Sequence, residues 1–304
     1  MKARHLLEYA ALRLLSAFFR LLPRPWALAL GAAVGQLGWW LRVRRKVVVA
    51  NLATAFPNVP ERERARLAAA AARNFGRTVA EFVRFAGRDR RHVGELVAIE
   101  GLEELRKALG EGRGALIVTA HLGAWALYVT ALAARGIPAA LLVGRQHNPY
   151  VDRFILAIPG GAVKFISKGR TAPREILRAL QEGRAVVMVA DQDAGPRGAF
   201  APFFGKVVST LPLPGAIAAR YHPPLFLMAG HRVGRGRHQL TLQRLPLPEG
   251  ENEDALRTEV AALCNRALED AIRTHPEQYF WYHRRFRDYP ESTGPTGATQ
   301  SGAS

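Results

Sequence analysis

The stretch GRGALIVTAHLGAWAL (residues 112–127) sets a titratable side chain directly after an apolar run. ALIVTA (115–120) has the length and composition of a buried strand. His121 then stands just past the strand's C-terminal end, where open α/β sheets bind their ligands. Gly123 permits a close backbone approach beside it. An imidazole titrates near neutrality and can take up a proton at cellular pH. As a general base it works best with a carboxylate that fixes its tautomer and orientation. The expected place for that acid, one helical turn on, holds Ala126. Two further apolar runs end in polar clusters: AALLVG leads into Arg145-Gln146-His147, and AVVMVA into Asp191-Gln192-Asp193. Clusters at the same pole of a sheet point to one shared site.

These side chains need a sheet to carry them. Apolar runs at 97–101, 115–120, 139–144, 162–167 and 185–190 alternate with helical segments at 102–112, 124–135, 148–158 and 172–183. That alternation predicts an α/β fold with a mostly parallel central sheet covered by helices on both faces. A helix over 212–222, strands over 223–233 and 238–246, and a helix over 253–274 follow. Upstream, residues 61–86 read as one long helix or two, entered through Pro57 and Pro60. Three regions are expected: membrane-associating helices over 1–46, a catalytic α/β domain over 47–290, and a small, polar, disordered tail over 291–304.

The chain of 304 residues carries a formal net charge of +18, which suits an anionic partner. Nucleic acid is a poor candidate, because no helix-turn-helix, zinc-finger or aromatic RNA-binding signature is present. The N-terminus favours a lipid surface. HLLEYAALRLLSAFFRLLP (5–23) is apolar at helical spacing and interrupted by charge, and PWALALGAAVGQLGWWL (25–41) ends at Trp39-Trp40 and the basic RVRRK. The second run is short for a bilayer span. Cys264 is the single cysteine, which excludes an intrachain disulfide and a cysteine-based metal site; its helical context predicts a buried thiol. Neither a P-loop nor an HExxH zinc motif is present, and no cofactor or metal is expected.

An ordered series of short motifs runs along the chain: Asn51-Leu52 with Ala55-Phe56-Pro57; Asn74-Phe75 and Glu81; Glu100-Gly101; His121-Leu-Gly-x-Trp125; Asn148-Pro149 with Asp152; Gly183; Asp191-Gln192-Asp193; Pro202-Phe-Phe-Gly-Lys206; Ser209-Thr210; and HPEQYFWYHRR over 275–285. Over about residues 40–290 this series resembles the lauroyl and myristoyl transferases of lipid A biosynthesis. They are members of the lysophospholipid acyltransferase superfamily and relatives of the phosphatidylinositol mannoside acyltransferases. The resemblance implies transfer of a fatty acyl group from acyl carrier protein or coenzyme A to a hydroxyl of an anionic glycolipid. It implies a location on the cytoplasmic face of the inner membrane. It makes His121 the base of a His-x4-Asp/Glu motif whose acidic position is Ala126. A family arginine about seven residues after Asp152 falls on Pro159, leaving Arg145, Arg153 or Lys164 to serve, while Arg170 matches a basic position before the next helix. Asp191 and Gln192 match a motif that supports the active-site loops.

Three explanations of Ala126 stand open: deliberate removal of the acid, natural loss with impaired or absent activity, or another acid in its place. The completeness of the other motifs favours the first over the second, and Asp152, Asp191 and Asp193 are the candidates for the third. A non-catalytic lipid-binding protein on the same fold is the alternative function. Trp125 packs or contacts substrate. Phe203 and Phe204 line an acyl channel or close the core. HRRF (283–286) binds phosphate or packs, and GKVVST (205–210) has a weak likeness to a headgroup loop.

Overall fold

The computed structural model describes residues 2–85, 88–234, 236–250 and 252–289. The expected disordered tail lies outside them. Helices α1 (Lys2–Leu21), α2 (Arg24–Trp40), α3 (Arg45–Ala55) and α4 (Glu61–Phe85) come first, then the short turns α5 (Arg88–Arg91) and α6 (Val93–Leu96). The alternating part follows as β1 (Val97–Glu100), α7 (Leu102–Gly110), β2 (Ala115–Thr119), α8 (Trp125–Ala134), β3 (Ala139–Val143), α9 (Pro149–Ala157), β4 (Val163–Ser167), α10 (Ala172–Gln181) and β5 (Ala185–Val189). A hairpin of β6 (Ala199–Phe203) and β7 (Lys206–Thr210) precedes α11 (Leu213–Tyr221), β8 (Leu225–Gly234), β9 (Arg237–Leu245) and α12 (Glu253–Thr274).

The seven-stranded sheet has the order β1-β9-β8-β2-β5-β3-β4. Only β8 and β9 pair antiparallel within it. The expected mostly parallel α/β fold is therefore observed. Leu116, Val118, Val186 and Met188 turn one face of the sheet toward Ile176 of α10, Ile217 of α11 and Val260 of α12. Ile117, Val187 and Phe226 turn the other face toward Leu105 of α7 and Leu127 and Leu132 of α8. Burial on both faces is why these strands are uninterrupted apolar runs. Cys264 is buried on α12, and burial pushes its thiol up to about 12.

One local expectation needs correction. GKVVST is strand β7 after its turn glycine rather than a headgroup loop: Val208 and Ser209 are fully buried, and β6 and β7 pair from Ala199↔Thr210 to Phe203↔Lys206. Helix α2 ends at Trp40 as expected, residues 41–44 form a turn, and Arg45 and Lys46 open α3. Val48, Asn51, Leu52 and Ala55 are the buried positions of that helix.

The N-terminal helices pack on α4. Gly31 and Gly35 of α2 let its backbone approach α4 closely, and a Cβ on Gly76 would collide with the Gly31 carbonyl. Ser16 of α1 donates to the Val83 carbonyl at 2.7 Å. The outer side remains apolar and exposed through Leu7, Leu14, Leu21, Trp26, Trp40 and Leu41. Among the described residues, no helix is long and apolar enough to cross a membrane.

A buried carboxylate ties these layers together. Glu81 of α4 accepts from Arg232 of β8 at 2.5 Å, from Arg24 of α2 at 3.2 Å, and lies 3.0 Å from His238 Nε2 of β9. Burial pushes the Glu81 carboxyl up, but the charges and hydrogen bonds of Arg232 and His238 outweigh it and hold it at about 2. Removing one member of such a group strands the others without compensation, at a cost of about 3–5 kcal/mol. Glu81→Gln is therefore expected to lower unfolding free energy in urea by that amount at neutral pH. A depressed carboxyl stabilises the fold above its ordinary pKa of 4.5 and loses that contribution as pH falls through its folded value. The gap between the two proteins should narrow from pH 4.5 toward pH 2.

Candidate active site

His121 follows β2 directly, and Asp191 follows β5, the neighbouring parallel strand. Adjacent strands of equal register place their C-terminal ends side by side, which brings together two residues far apart in sequence. His121 Nδ1 lies 2.8 Å from Asp191 Oδ1, and the His121 backbone N–H donates to Asp191 Oδ2 at 3.0 Å. Both carboxylate oxygens are thus engaged by one residue. Asp191 is 1% exposed. Burial raises its pKa, but the His121 charge, its two hydrogen bonds and the Arg285 guanidinium prevail and leave it below the usual value. The other ring nitrogen, Nε2, lies 3.4 Å from the Gln192 side-chain amide.

The loop carrying the imidazole is fixed from behind. Gly123 has φ +58°, and a Cβ there would strike the Tyr128 hydroxyl and the Gly230 carbonyl. Its N–H donates to the Gln278 carbonyl and its carbonyl accepts from Thr78, both at 3.0 Å. The Phe280 N–H donates to the His121 carbonyl at 3.0 Å, and the Phe280 ring sits 5.9 Å from the imidazole. Asn51 and Asn74 donate to carbonyls of this C-terminal segment, at Trp281 and His283 for Asn51 and at Gln278 for Asn74. Tyr128 accepts from the Ala124 N–H at 3.0 Å and meets His238 Nδ1 at 3.2 Å, so the Glu81 cluster reaches the loop.

A cavity of about 530 Å³ opens over His121. Trp125 and Ala126 of α8 line it, together with Val143, Gly144, Arg145, Gln146 and Gln192, so the three expected strand-end clusters do converge. The Trp125 ring stands 4.8 Å from the His121 ring. Away from the imidazole the walls are apolar, with Leu141, Leu156 and Phe165 among them. A narrow apolar space beside a base suits an aliphatic chain.

The remaining sequence expectations divide. Asp152 accepts from the Gln146 N–H at 2.8 Å and lies 3.9 Å from Arg145, so it shapes the cavity's rim rather than orienting His121. Asp193 is held by the Tyr289 hydroxyl at 2.7 Å. Of the basic candidates, Arg145 lines the cavity, Arg153 and Arg170 are exposed outside its lining, and Lys164 pairs with Glu182 at 2.9 Å. Lys168 also lines the cavity and was missed, since it has no motif around it.

Phe203 and Phe204 are not brought to the cavity. They are buried on the other side of the sheet, Phe203 against Phe286 and Phe204 against Phe56 and Trp281. Within HRRF, Arg285 packs: it is 2% exposed and donates to the carbonyls of Gln192 and Ser209 and to the Thr210 hydroxyl, while Arg284 is exposed. Phe75, Thr78 and Val79 of α4 also line the cavity; Phe75 belongs to the motif series, whereas Thr78 and Val79 have only the spacing of an ordinary helix face.

The family model described as bacterial lipid A biosynthesis acyltransferase matches residues 2–288. The lipid A biosynthesis palmitoleoyltransferase of Escherichia coli K12 is 28% identical over 273 residues, covering 88% of this chain and 87% of that protein. The lauroyltransferase of the same organism is 28% identical over 279 residues, covering 89% and 88%. A lipid A biosynthesis acyltransferase 2 of Shigella flexneri is 26% identical over 264 residues, covering 82% and 80%. The chain belongs to the bacterial lipid A biosynthesis acyltransferase family and is, by family, an acyltransferase.

Proposed function

We propose that the chain moves a fatty acyl group from an acyl thioester to a hydroxyl of an anionic glycolipid of the lipid A precursor class, with His121 as general base and Asp191 as the acid that orients it. The observation that carries this reading is the 2.8 Å contact between His121 Nδ1 and Asp191 Oδ1, reinforced by the His121 backbone N–H. An Nδ1–H donated to Asp191 leaves Nε2 as the acceptor. That nitrogen takes the proton of the acceptor hydroxyl as its oxygen attacks the thioester carbonyl. The carbon–sulfur bond then breaks, and the imidazolium returns the proton to the departing thiolate. Asp191 stabilises the transient imidazolium, as the buried acid of a serine protease triad does. The apolar walls of the 530 Å³ cavity take the acyl chain.

The donor is acyl carrier protein or coenzyme A, both anionic, and Arg145 and Lys168 at the cavity rim fit either one. The exposed apolar side of α1 and α2 sits on the lipid surface without spanning it, on the cytoplasmic face of the inner membrane. Ala126 is the observation that favours the rival, a lipid-binding protein without turnover.

Two measurements separate these readings. Acyl transfer from labelled acyl-carrier-protein to a lipid A precursor should be lost in His121→Ala. In Asp191→Asn it should fall by up to about 10⁴, or about 5 kcal/mol, through kcat with the acceptor KM little changed. No transfer by the unchanged chain with any precursor would leave the lipid-binding reading. Ala126→Glu should alter the rate by less than about tenfold, because Asp191 already occupies Nδ1. A large gain from Ala126→Glu on an inert parent would make residue 126, and not Asp191, the partner of the base.

A further inference from the structure

A second apolar space lies across α4 from the catalytic cavity. It is a groove of about 350 Å³ between α1, α2 and α4, and Phe75 and Val79 belong to the walls of both spaces. Phe280 belongs to its lining and stands 5.9 Å from the His121 ring. Its floor includes Gly31, Gly35 and Gly38, and its rim includes Leu15, Val34 and Val43, which are exposed. The charged residue of its lining is Arg44, whose guanidinium donates to the Tyr282 carbonyl at 3.1 Å. Arg44 sits within RVRRK, a run that contains no acidic residue, and Arg42 and Arg44 both hold left-handed backbone (φ 59° and 51°) at the turn into α3. An L-residue adopts that conformation at a cost, and here it fixes a cationic turn beside the groove.

We propose that this groove holds an acyl chain already present on the acceptor lipid, with the anionic headgroup of that lipid on the Arg42–Lys46 turn. The inference rests on the acyltransferase reading above and adds where the acceptor binds. The two spaces differ in what can reach them. The catalytic cavity opens past Arg145 and Lys168, polar surroundings suited to a water-soluble carrier. The groove opens among the exposed apolar residues of the N-terminal helices, where a chain can enter from a bilayer without crossing water. A lipid seated there has its headgroup beside the basic turn and its hydroxyls on the His121 side of Phe280. Donor and acceptor chains are then kept apart by the Phe75–Val79 wall, so neither competes for the other's space.

Gly38 gives a clean test. Gly38 lines the groove and a Cβ built there meets no atom within 4 Å, so a larger residue adds bulk at the groove without displacing packed atoms. Leucine is also the better helix former. Equilibrium binding of a lipid A precursor, in the absence of donor, is compared for the unchanged chain and Gly38→Leu, with the same precursor stripped of its ester-linked chains as the second probe. Co-sedimentation with phosphatidylglycerol–phosphatidylethanolamine vesicles is measured alongside, and thermal unfolding verifies the fold. Gly38→Leu should weaken binding of the acylated precursor by about tenfold or more, leave the stripped precursor nearly unaffected, and leave vesicle binding unchanged. Equal affinity of both proteins for the acylated precursor overturns the proposal. So does a fall in vesicle binding that matches the loss, because the groove would then be a seat for bulk membrane lipid. Binding that responds to Gly38→Leu in a chain without acyl transfer would sink the catalytic reading while leaving the groove assignment standing.

Discussion

The structure depends on a single buried anion. Glu81 lies 2% exposed within α4, and an isolated carboxylate at such a place would take up a proton rather than remain charged. It stays ionised because Arg24, Arg232 and His238 converge on it from α2, β8 and β9. The four groups come from α2, α4 and two strands of the sheet, so the cluster can form only when the N-terminal helices, the long helix and the sheet are all in place. Burying an ion pair is weak evidence of stability gained over an apolar core. Its stronger effect is on arrangement: alternative packings of α2 or α4 leave charges buried without partners.

That constraint reaches the catalytic loop by two short routes. One runs through His238 and the Tyr128 hydroxyl to the Ala124 N–H. The other runs through Arg232, whose backbone N–H donates to the Gln278 side chain at 2.8 Å, while the Gln278 carbonyl accepts from Gly123. The loop bearing His121 is thus held by Tyr128, His238, Arg232 and Gln278, which lie outside the cavity lining. Two of the buried acids serve different ends. Glu81 fixes the scaffold behind the imidazole, and Asp191 fixes the imidazole itself.

The sequence shows the sheet plainly because strands covered on both faces read as continuous apolar runs, and helices with glycine stops read as the intervals between them. It hides what depends on strand neighbours. Nothing in the linear order says that β2 lies beside β5, and that adjacency alone turns Asp191 from a loop residue into the partner of His121. The hairpin of β6 and β7 was masked by Pro202 at its edge and by the turn at Phe204-Gly205, which has positive φ at both residues and looks like a loop. Phe203 and Phe204 could be known to be buried, but which face they occupied depended on how that hairpin folds against α12. The basic run at 42–46 concealed the start of α3, since charge gives no helical periodicity to read.

The alanine at 126 takes its meaning from this arrangement. An imidazole has one Nδ1, and Asp191 holds it from a site that is almost fully buried and is also anchored to the His121 backbone. A base already held in this way gains little orientation from another carboxylate. Position 126 lines the cavity, and a charged side chain there would interrupt the apolar wall that Trp125, Leu127 and Val129 continue. A methyl group at that point extends the wall toward the imidazole. On the proposed mechanism, with orientation supplied by Asp191 after β5, the first turn of α8 is free to contact substrate.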